Sequence, residues 1–323
     1  MNARPRWPRG SWPRALLVVL ATFALVLAAA AAAAAPRHPA APGHRAMLRA
    51  ASITRAASAP SCNPAASSLS PSGPPQVTAG SFMAKIRARG YLIAGVDQST
   101  YHFGFLNPLS GQIEGFDIDM INAVATAIFG SSTGHVEYKA ISDQQRSPDI
   151  LSGAVDIVAH TMTITCLRLQ KVDFSSVYFD AAQRVLVLKN STATSLAGLR
   201  GQKVCATTGS DSLAVIAAAK AIPVAVPYWT DCLVLLQQGD VAAISTDDSI
   251  LDGLAAQDPW TKLIGPRLTN EPYGLAISKQ HPDFVRFVNA VLQQLRTNGQ
   301  WAASYAHWIG TPVPAPPPAQ YGG

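Results

Sequence analysis

From Ser81 onwards the chain alternates short apolar runs with stretches of helical periodicity, and turn residues separate them at regular intervals. Phe82–Arg89 predicts a short helix closed by Gly90, and Tyr91–Val96 predicts a strand ending at Asp97. Asp117 is the expected cap of a helix to Phe129, with Ile118, Ile121, Val124 and Ile128 on one face and Gly130 just past its end. His135–Ala140 reads as the next strand, and Pro148–Gly153 lies in the following helix. Strands are then expected at Gln183–Lys189, Lys203–Ala206 and Val241–Ile244, with helices starting near Ser210 and at Thr230 or Asp231. His281–Arg296 is amphipathic, with Pro282 in its first turn and Val285, Val288, Leu292 and Leu295 on one face. Trp301, Tyr305 and Trp308 recur at i, i+4 and i+7, the spacing of a stripe packed on a core. Alternation of this kind predicts an α/β protein.

One stretch departs from plain core patterning. Ile157–Ala159 is an apolar run, and it gives way to Thr161, Thr163 and Thr165 at alternate positions, followed by Arg168. A strand end that exchanges apolar residues for hydroxyls is leaving the core and lining something polar. An arginine three residues further on can offer its guanidinium fork to a carboxylate. A second such junction is Thr207–Gly209, between a strand and a helix, where a glycine lets backbone approach a ligand and a helix start favours negative charge. It lacks the G-K-[ST] ending of a phosphate loop. A third is Ser245-Thr246-Asp247-Asp248, an acidic strand end of the kind that faces the ligand crevice of open α/β sheets. Asp248 also reads as a cap of the next helix.

The net charge of +6 changes the picture little, because residues 1–80 hold eight arginines and no acid while the remainder carries 17 basic against 19 acidic residues. That distribution leaves no nucleic-acid footprint on the globular part. Residues 1–35 join Arg4, Arg6, Arg9 and Arg14 to an apolar run from Ala15 to Ala35, the pattern of an export signal that is either cleaved or kept as an anchor. Residues 36–80, rich in Ala, Pro, Ser and Arg, read as a disordered linker, and 311–323 as a mobile Pro-rich tail. Four cysteines, Cys62, Cys166, Cys205 and Cys232, form no C-x-x-C pair, and in an exported chain their even number favours disulfides over metal. No G-x-S-x-G or H-E-x-x-H signature advertises an enzyme, and neither a cofactor nor a metal is implied.

The segment T-M-T-I-T-C-L-R…V-D-F-S, preceded by S-G-A-V-D-I-V, resembles the amino-acid-binding extracellular solute-binding proteins of bacteria (family 3, glutamine-binding-protein-like). G-F-D-I-D-M at 115–120, L-A-G-L-R-G-Q-K-V at 196–204, S-T-D-D at 245–248 and Y-G-L-A-I at 273–277 extend the resemblance in order from about Ser81 to Ile309. It implies a two-lobe periplasmic-binding-protein type II fold with two hinge crossings, at Gln183–Lys189 and Tyr273–Ile277. Lobe one would be 81–184 with 277–310, and lobe two 185–276. It also implies capture of a free amino acid by a monomer and delivery to an ABC permease. The same fold also serves sensor domains and secreted enzymes, for which His102 and His160 would be the candidate acid–base groups. His160 reads better as a packed neighbour of the site.

Carried onto this sequence, the resemblance puts the ligand's α-carboxylate on Arg168 and Thr163, with groups from the Thr208–Ser212 stretch, including Asp211, reaching over from lobe two. The α-ammonium falls to Asp247 with the backbone near Thr161. Tyr101 or Phe103 would pack on the ligand's stem. Asp97 would read its side chain, opposite Thr207 and Gly209. A buried carboxylate repels another and accepts hydrogen bonds, so glutamine or asparagine is the expected ligand, with arginine or lysine second. With the lobes so assigned, Cys205 and Cys232 can meet inside lobe two without crossing the hinge, which leaves Cys62 for Cys166.

Overall fold

The computed structural model describes residues 62–322. Its frame is two five-stranded mixed sheets. In the first, Val136–Ala140, Leu92–Val96 and Ile157–Ala159 run parallel, Ala276–Ile277 pairs antiparallel with Ile157–Ala159, and Asp173–Phe174 pairs antiparallel with Ala276–Ile277 at the edge. The second repeats the scheme with Ile222–Val226, Lys203–Thr207 and Ala243–Asp247 parallel, Gln183–Leu188 antiparallel to Ala243–Asp247, and Thr261–Ile264 antiparallel to Gln183–Leu188. Parallel strands covered on both faces require continuous apolar runs, which explains Leu92-Ile-Ala-Gly-Val and Ile157-Val-Ala. Alternate residues of one strand serve separate cores: Ile157 and Ala159 join Leu92 and Ile121, whereas Val158 joins Ile150 and Phe174. Val185, Cys205, Ile244 and Leu251 centre the core of the second lobe.

The lobes are joined by a short antiparallel ribbon, Phe179–Ala181 paired with Glu271–Tyr273. The crossings therefore lie just before Gln183 and just before Ala276, since Gln183–Leu188 already belongs to the second sheet and Ala276–Ile277 to the first. Helix Phe116–Phe129 starts from Gly115, whose φ of 139° no other residue adopts easily, so Asp117 does not cap it. Helix Pro282–Thr297 buries Phe284, Val285, Val288, Leu292 and Leu295, and Trp301 is buried beneath it with its indole N–H on the Tyr178 carbonyl at 2.8 Å.

Two stretches without apolar periodicity are nonetheless fixed in place. Ser68 Oγ donates to the Phe174 carbonyl at 2.7 Å, Asn289 Nδ2 donates to Ser68 Oγ and to the Leu69 carbonyl at 2.7 Å each, and Arg286 reaches the Ser70 carbonyl at 2.6 Å. The C-terminal segment lies beside this strap: Gly322 N donates to the Ser68 carbonyl at 2.9 Å and Arg296 to the Pro317 carbonyl at 3.1 Å. The expected disorder over 36–80 and mobility over 311–323 thus fail for 62–80 and 311–322, because backbone carbonyls, invisible to periodicity, do the anchoring. The remainder of the linker and the 1–35 signal lie outside the described residues. Among the described residues no helix is long and apolar enough to cross a membrane.

Both expected disulfides are present, Cys205–Cys232 within the second lobe and Cys62–Cys166 between the strap and the Thr/Arg turn. The Cys205–Cys232 loop separation of 27 residues predicts roughly 3–4 kcal/mol from restriction of the unfolded chain. The double variant Cys205→Ala/Cys232→Ala should therefore lower the denaturant midpoint, with the m-value raised by the freer unfolded state. An unchanged midpoint would mean that the bridge does not stabilise this lobe.

Candidate functional site

The Thr/Arg turn and the ribbon are one structural unit. Ile164 N donates to the Pro272 carbonyl at 2.8 Å, Gly274 N to the Met162 carbonyl at 3.1 Å, and Thr163 pairs with Tyr273 as an isolated bridge. Thr161 adopts a φ of 42°, and its N–H donates to Asp117 Oδ2 at 2.7 Å, while Tyr178 Oη donates to Asp117 Oδ1 at 2.7 Å. Asp117 is thereby a buried clamp on the turn rather than a helix cap. Burial pushes its carboxyl up to about 6, against the opposing pull of those two hydrogen bonds.

A narrow, partly open cavity of about 20 Å³ lies where this turn meets the second lobe. Asp143, Arg146, Thr161, Thr163 and Arg168 form one wall; Ser210, Asp211, Ser212, Trp229, Thr246, Asp247 and Ile250 form the other, and Glu271 enters from the ribbon. Arg168 Nη1 donates to the Thr163 carbonyl at 2.7 Å and lies 2.7 Å from Asp211 Oδ2; its Nη2 reaches the Gly209 carbonyl at 3.3 Å. Burial is the main cause that lowers the Arg168 guanidinium to about 10, followed by the Arg146 charge beside it, so it stays cationic at neutral pH. Across the cavity, Asp247 Oδ2 accepts from Tyr273 Oη at 2.6 Å, and Ser249 Oγ lies 2.7 Å from the same phenol. Burial, then the charges of Glu271 and Asp248, push Asp247 up to about 8. Thr161 Oγ1 and Trp229 Nε1 stand on the cavity wall, buried and without a hydrogen-bond partner among the described residues. Unpaired buried polar groups beside a cationic fork and a carboxylate complement a small zwitterion in polarity, and at about 20 Å³ the chamber must widen to admit one.

Of the residues expected from sequence, Thr161, Thr163, Arg168, Asp211 and Asp247 converge on this cavity. Gly209 stands beside it as a contact between lobes: at its φ of 91° a Cβ would come within 2.9 Å of Gln144 Cα, and its carbonyl receives both arginines. Thr207 does not face the cavity; its hydroxyl donates to Asp143 across the lobe boundary. Asp97 does not line this cavity. Its Oδ1 accepts from Gln98 N, Ser99 N and Ser99 Oγ at 2.7–2.9 Å, and Thr100 Oγ1 binds its Oδ2, so the carboxylate is saturated by its own loop. Phe103 is fully buried, with its ring edge-on to Phe116, Phe179 and Tyr273, and it contacts core rather than cleft. Tyr101 packs on His102 and Phe105, and its carbonyl approaches helix Asp248–Gln257 at Gly253, away from the cavity wall. His160 is packed as expected, with Nε2 2.9 Å from the Ile141 carbonyl.

Sequence reasoning missed Asp143, Arg146, Trp229 and Glu271. Arg146 is 4 % exposed and held by Asp143 at 2.9 Å and the His160 carbonyl at 3.1 Å. The available signal was position: Asp143 and Arg146 come just after the end of strand Val136–Ala140, the edge at which open α/β sheets bind ligands. Among the described residues no group of three or more His, Cys, Asp or Glu is placed to hold a metal.

Two α/β lobes, a two-stranded ribbon between them and a polar chamber at their junction define a type II binding protein of the periplasmic class. The chain belongs to the bacterial extracellular solute-binding proteins, family 3, which it matches over residues 92–311. It is 36% identical over 230 residues to the ABC transporter glutamine-binding protein GlnH of Bacillus subtilis, covering 70% of this chain and 84% of that protein. It is 35% identical to the glutamine-binding protein of Geobacillus stearothermophilus, covering 62% and 78% of the two chains. Among solved structures, an ancestral arginine-binding protein bound to glutamine superposes with a TM-score of 0.65 at 32% identity, covering 69% of this chain and 99% of that one. This is an amino-acid-binding solute-binding protein, and its family and relatives are binding proteins rather than enzymes.

Proposed function

We propose that this protein captures glutamine or asparagine between its lobes outside the cytoplasm and delivers it, as a monomer, to an ABC importer in the membrane. The carrying observation is the opposition of Arg168 to Asp247 across one chamber, the pairing that an α-carboxylate and an α-ammonium need once the ammonium has drawn the proton from Asp247. Ligand choice rests on different residues from those expected. Four carboxylates, Asp143, Asp211, Asp247 and Glu271, line the chamber against the guanidinium groups of Arg146 and Arg168. That excess disfavours a second carboxylate on the ligand and favours an amide, with a cationic side chain next. The glutamine-binding relatives and the glutamine-bound structure support glutamine as the ligand. Export would be directed by residues 1–35.

A thermal-shift series with the twenty amino acids tests this. A ligand at 100 times its Kd adds about 2.7 kcal/mol, or roughly 5–10 °C for a protein of this size. Competition calorimetry at pH 7 should then rank glutamine and asparagine above arginine and lysine, and those above glutamate and aspartate, with the ligand recovered chemically unchanged. Tighter binding of either acidic amino acid would overturn the assignment.

A further inference from the structure

Asp211 occupies an odd position for a binding residue. It sits at the N-terminal end of helix Ser212–Ala218, yet its side chain makes no capping bond there. Its carboxylate instead lies 2.7 Å from Arg168 Nη1, the group assigned to the ligand's own carboxylate. The neighbouring Arg146 is held chiefly by partners of its own lobe: the Asp143 carboxylate, buried to 3 % side-chain exposure, and the backbone carbonyls of Asp143 and His160, with the Gly209 carbonyl added from the second lobe. The Asp211 side chain is 44 % exposed, while that of Arg168 is 12 % exposed. Thus one acidic side chain on the anchor arginine is exchangeable, and it comes from the opposite lobe.

We propose that Asp211 is an affinity- and selectivity-setting residue that acts as a built-in competitor for Arg168. It draws the second lobe onto the first through a carboxylate–guanidinium contact, and an incoming amino acid must displace it. One anion replaces another on the same fork, so the net gain on binding is the difference between two similar ion pairs rather than a whole one. Once displaced, Asp211 remains at the solvent-facing rim of the chamber. There its charge opposes any second carboxylate on the ligand and leaves an amide side chain unaffected. The inference rests on Arg168 being the carboxylate anchor.

The test compares wild-type protein with Asp211→Asn and Asp211→Ser. Calorimetry should show glutamine binding at least fivefold tighter in both variants, with the preference for glutamine over glutamate reduced. Affinity that is unchanged or weaker in both variants would overturn the proposal. Small-angle scattering in the absence of added amino acid supplies a readout independent of ligand identity. The variants should have a larger radius of gyration than wild type, because the one carboxylate–guanidinium contact from Asp211 across the lobes is gone, leaving the Thr207 and Gly209 hydrogen bonds. If wild type binds no amino acid, the functional assignment falls, and scattering alone decides Asp211: an opened profile supports the contact, and profiles identical to wild type remove it.

Discussion

Arg168→Ala should weaken amino-acid binding by roughly 30-fold to several-thousand-fold, corresponding to the about 2–5 kcal/mol expected when one partner of a buried charge pair is truncated. The size reflects how the guanidinium is held. Its Nη1 is fixed to the Thr163 carbonyl at 2.7 Å, so the fork is aimed before any ligand arrives, and little ordering entropy remains to be lost. Arg146 cannot substitute, because Asp143 and two carbonyls already take its donors. Arg168→Lys would keep a charge but lose the planar fork and the tie to Thr163, and its affinity should fall between wild type and alanine. Calorimetry with glutamine measures both, and the melting temperature of each variant checks that the fold persists. Wild-type affinity in Arg168→Ala would remove this residue from the site.

The uneven legibility of this site has physical causes. The Thr161–Arg168 turn was readable because an apolar run changes to alternating hydroxyls over a few residues, a transition that core packing does not produce. Asp247 was readable because strand Ala243–Asp247 ends in an acid at the sheet edge where ligands bind. Asp97 satisfies the same description and yet serves its own loop. The two acids differ in their C-terminal neighbours. Gln98-Ser99-Thr100 supplies Asp97 with two N–H groups and two hydroxyls within three residues, the makings of an Asx-type turn. After Asp247 the next helix begins at once, and it is Asp248 that accepts from the local Ser249 N and from the distant Ala182 N, at 3.0 Å each. Phe103 misled for another reason. The resemblance offered Tyr101 or Phe103 to the ligand's stem, but a turn between the strands Ser99–Thr100 and Gly104–Leu106 drives Phe103 into the core. Asp143 and Arg146 look like an ordinary solvated i, i+3 pair in sequence. In the fold the second lobe covers them through Thr207 and Gly209, and His160 packs on them from their own lobe.

Asp247→Asn should do two things that normally oppose each other: stabilise the protein and destroy its function. Burial and the neighbouring Glu271 and Asp248 raise the Asp247 carboxyl from 3.8 to about 8. Below about pH 4 folded and unfolded chains both carry the proton, and this group adds no pH dependence. Between about pH 4 and 8 only the folded chain holds it, so stability falls by up to about 1.4 kcal/mol for each unit of rising pH. Above about pH 8 both states are ionised and the slope vanishes. Asparagine keeps an acceptor for Tyr273 Oη and never ionises, so the variant should melt higher than wild type at pH 8, by about 2–4 °C for each kcal/mol gained, and the advantage should shrink towards pH 4. Binding should move the other way, because the ligand's ammonium then meets a neutral amide, and affinity should drop at least tenfold. The same logic requires wild type to release a proton on binding at pH 7, as the ammonium draws the carboxyl back to its charged form. Calorimetry in buffers of different ionisation enthalpy reads that proton directly, and Asp247→Asn should release fewer or none. A variant that melts lower at pH 8 and still binds with wild-type affinity would make Asp247 a structural acid of ordinary pKa, and the ammonium would need another partner, for which Glu271 on the chamber wall is a candidate.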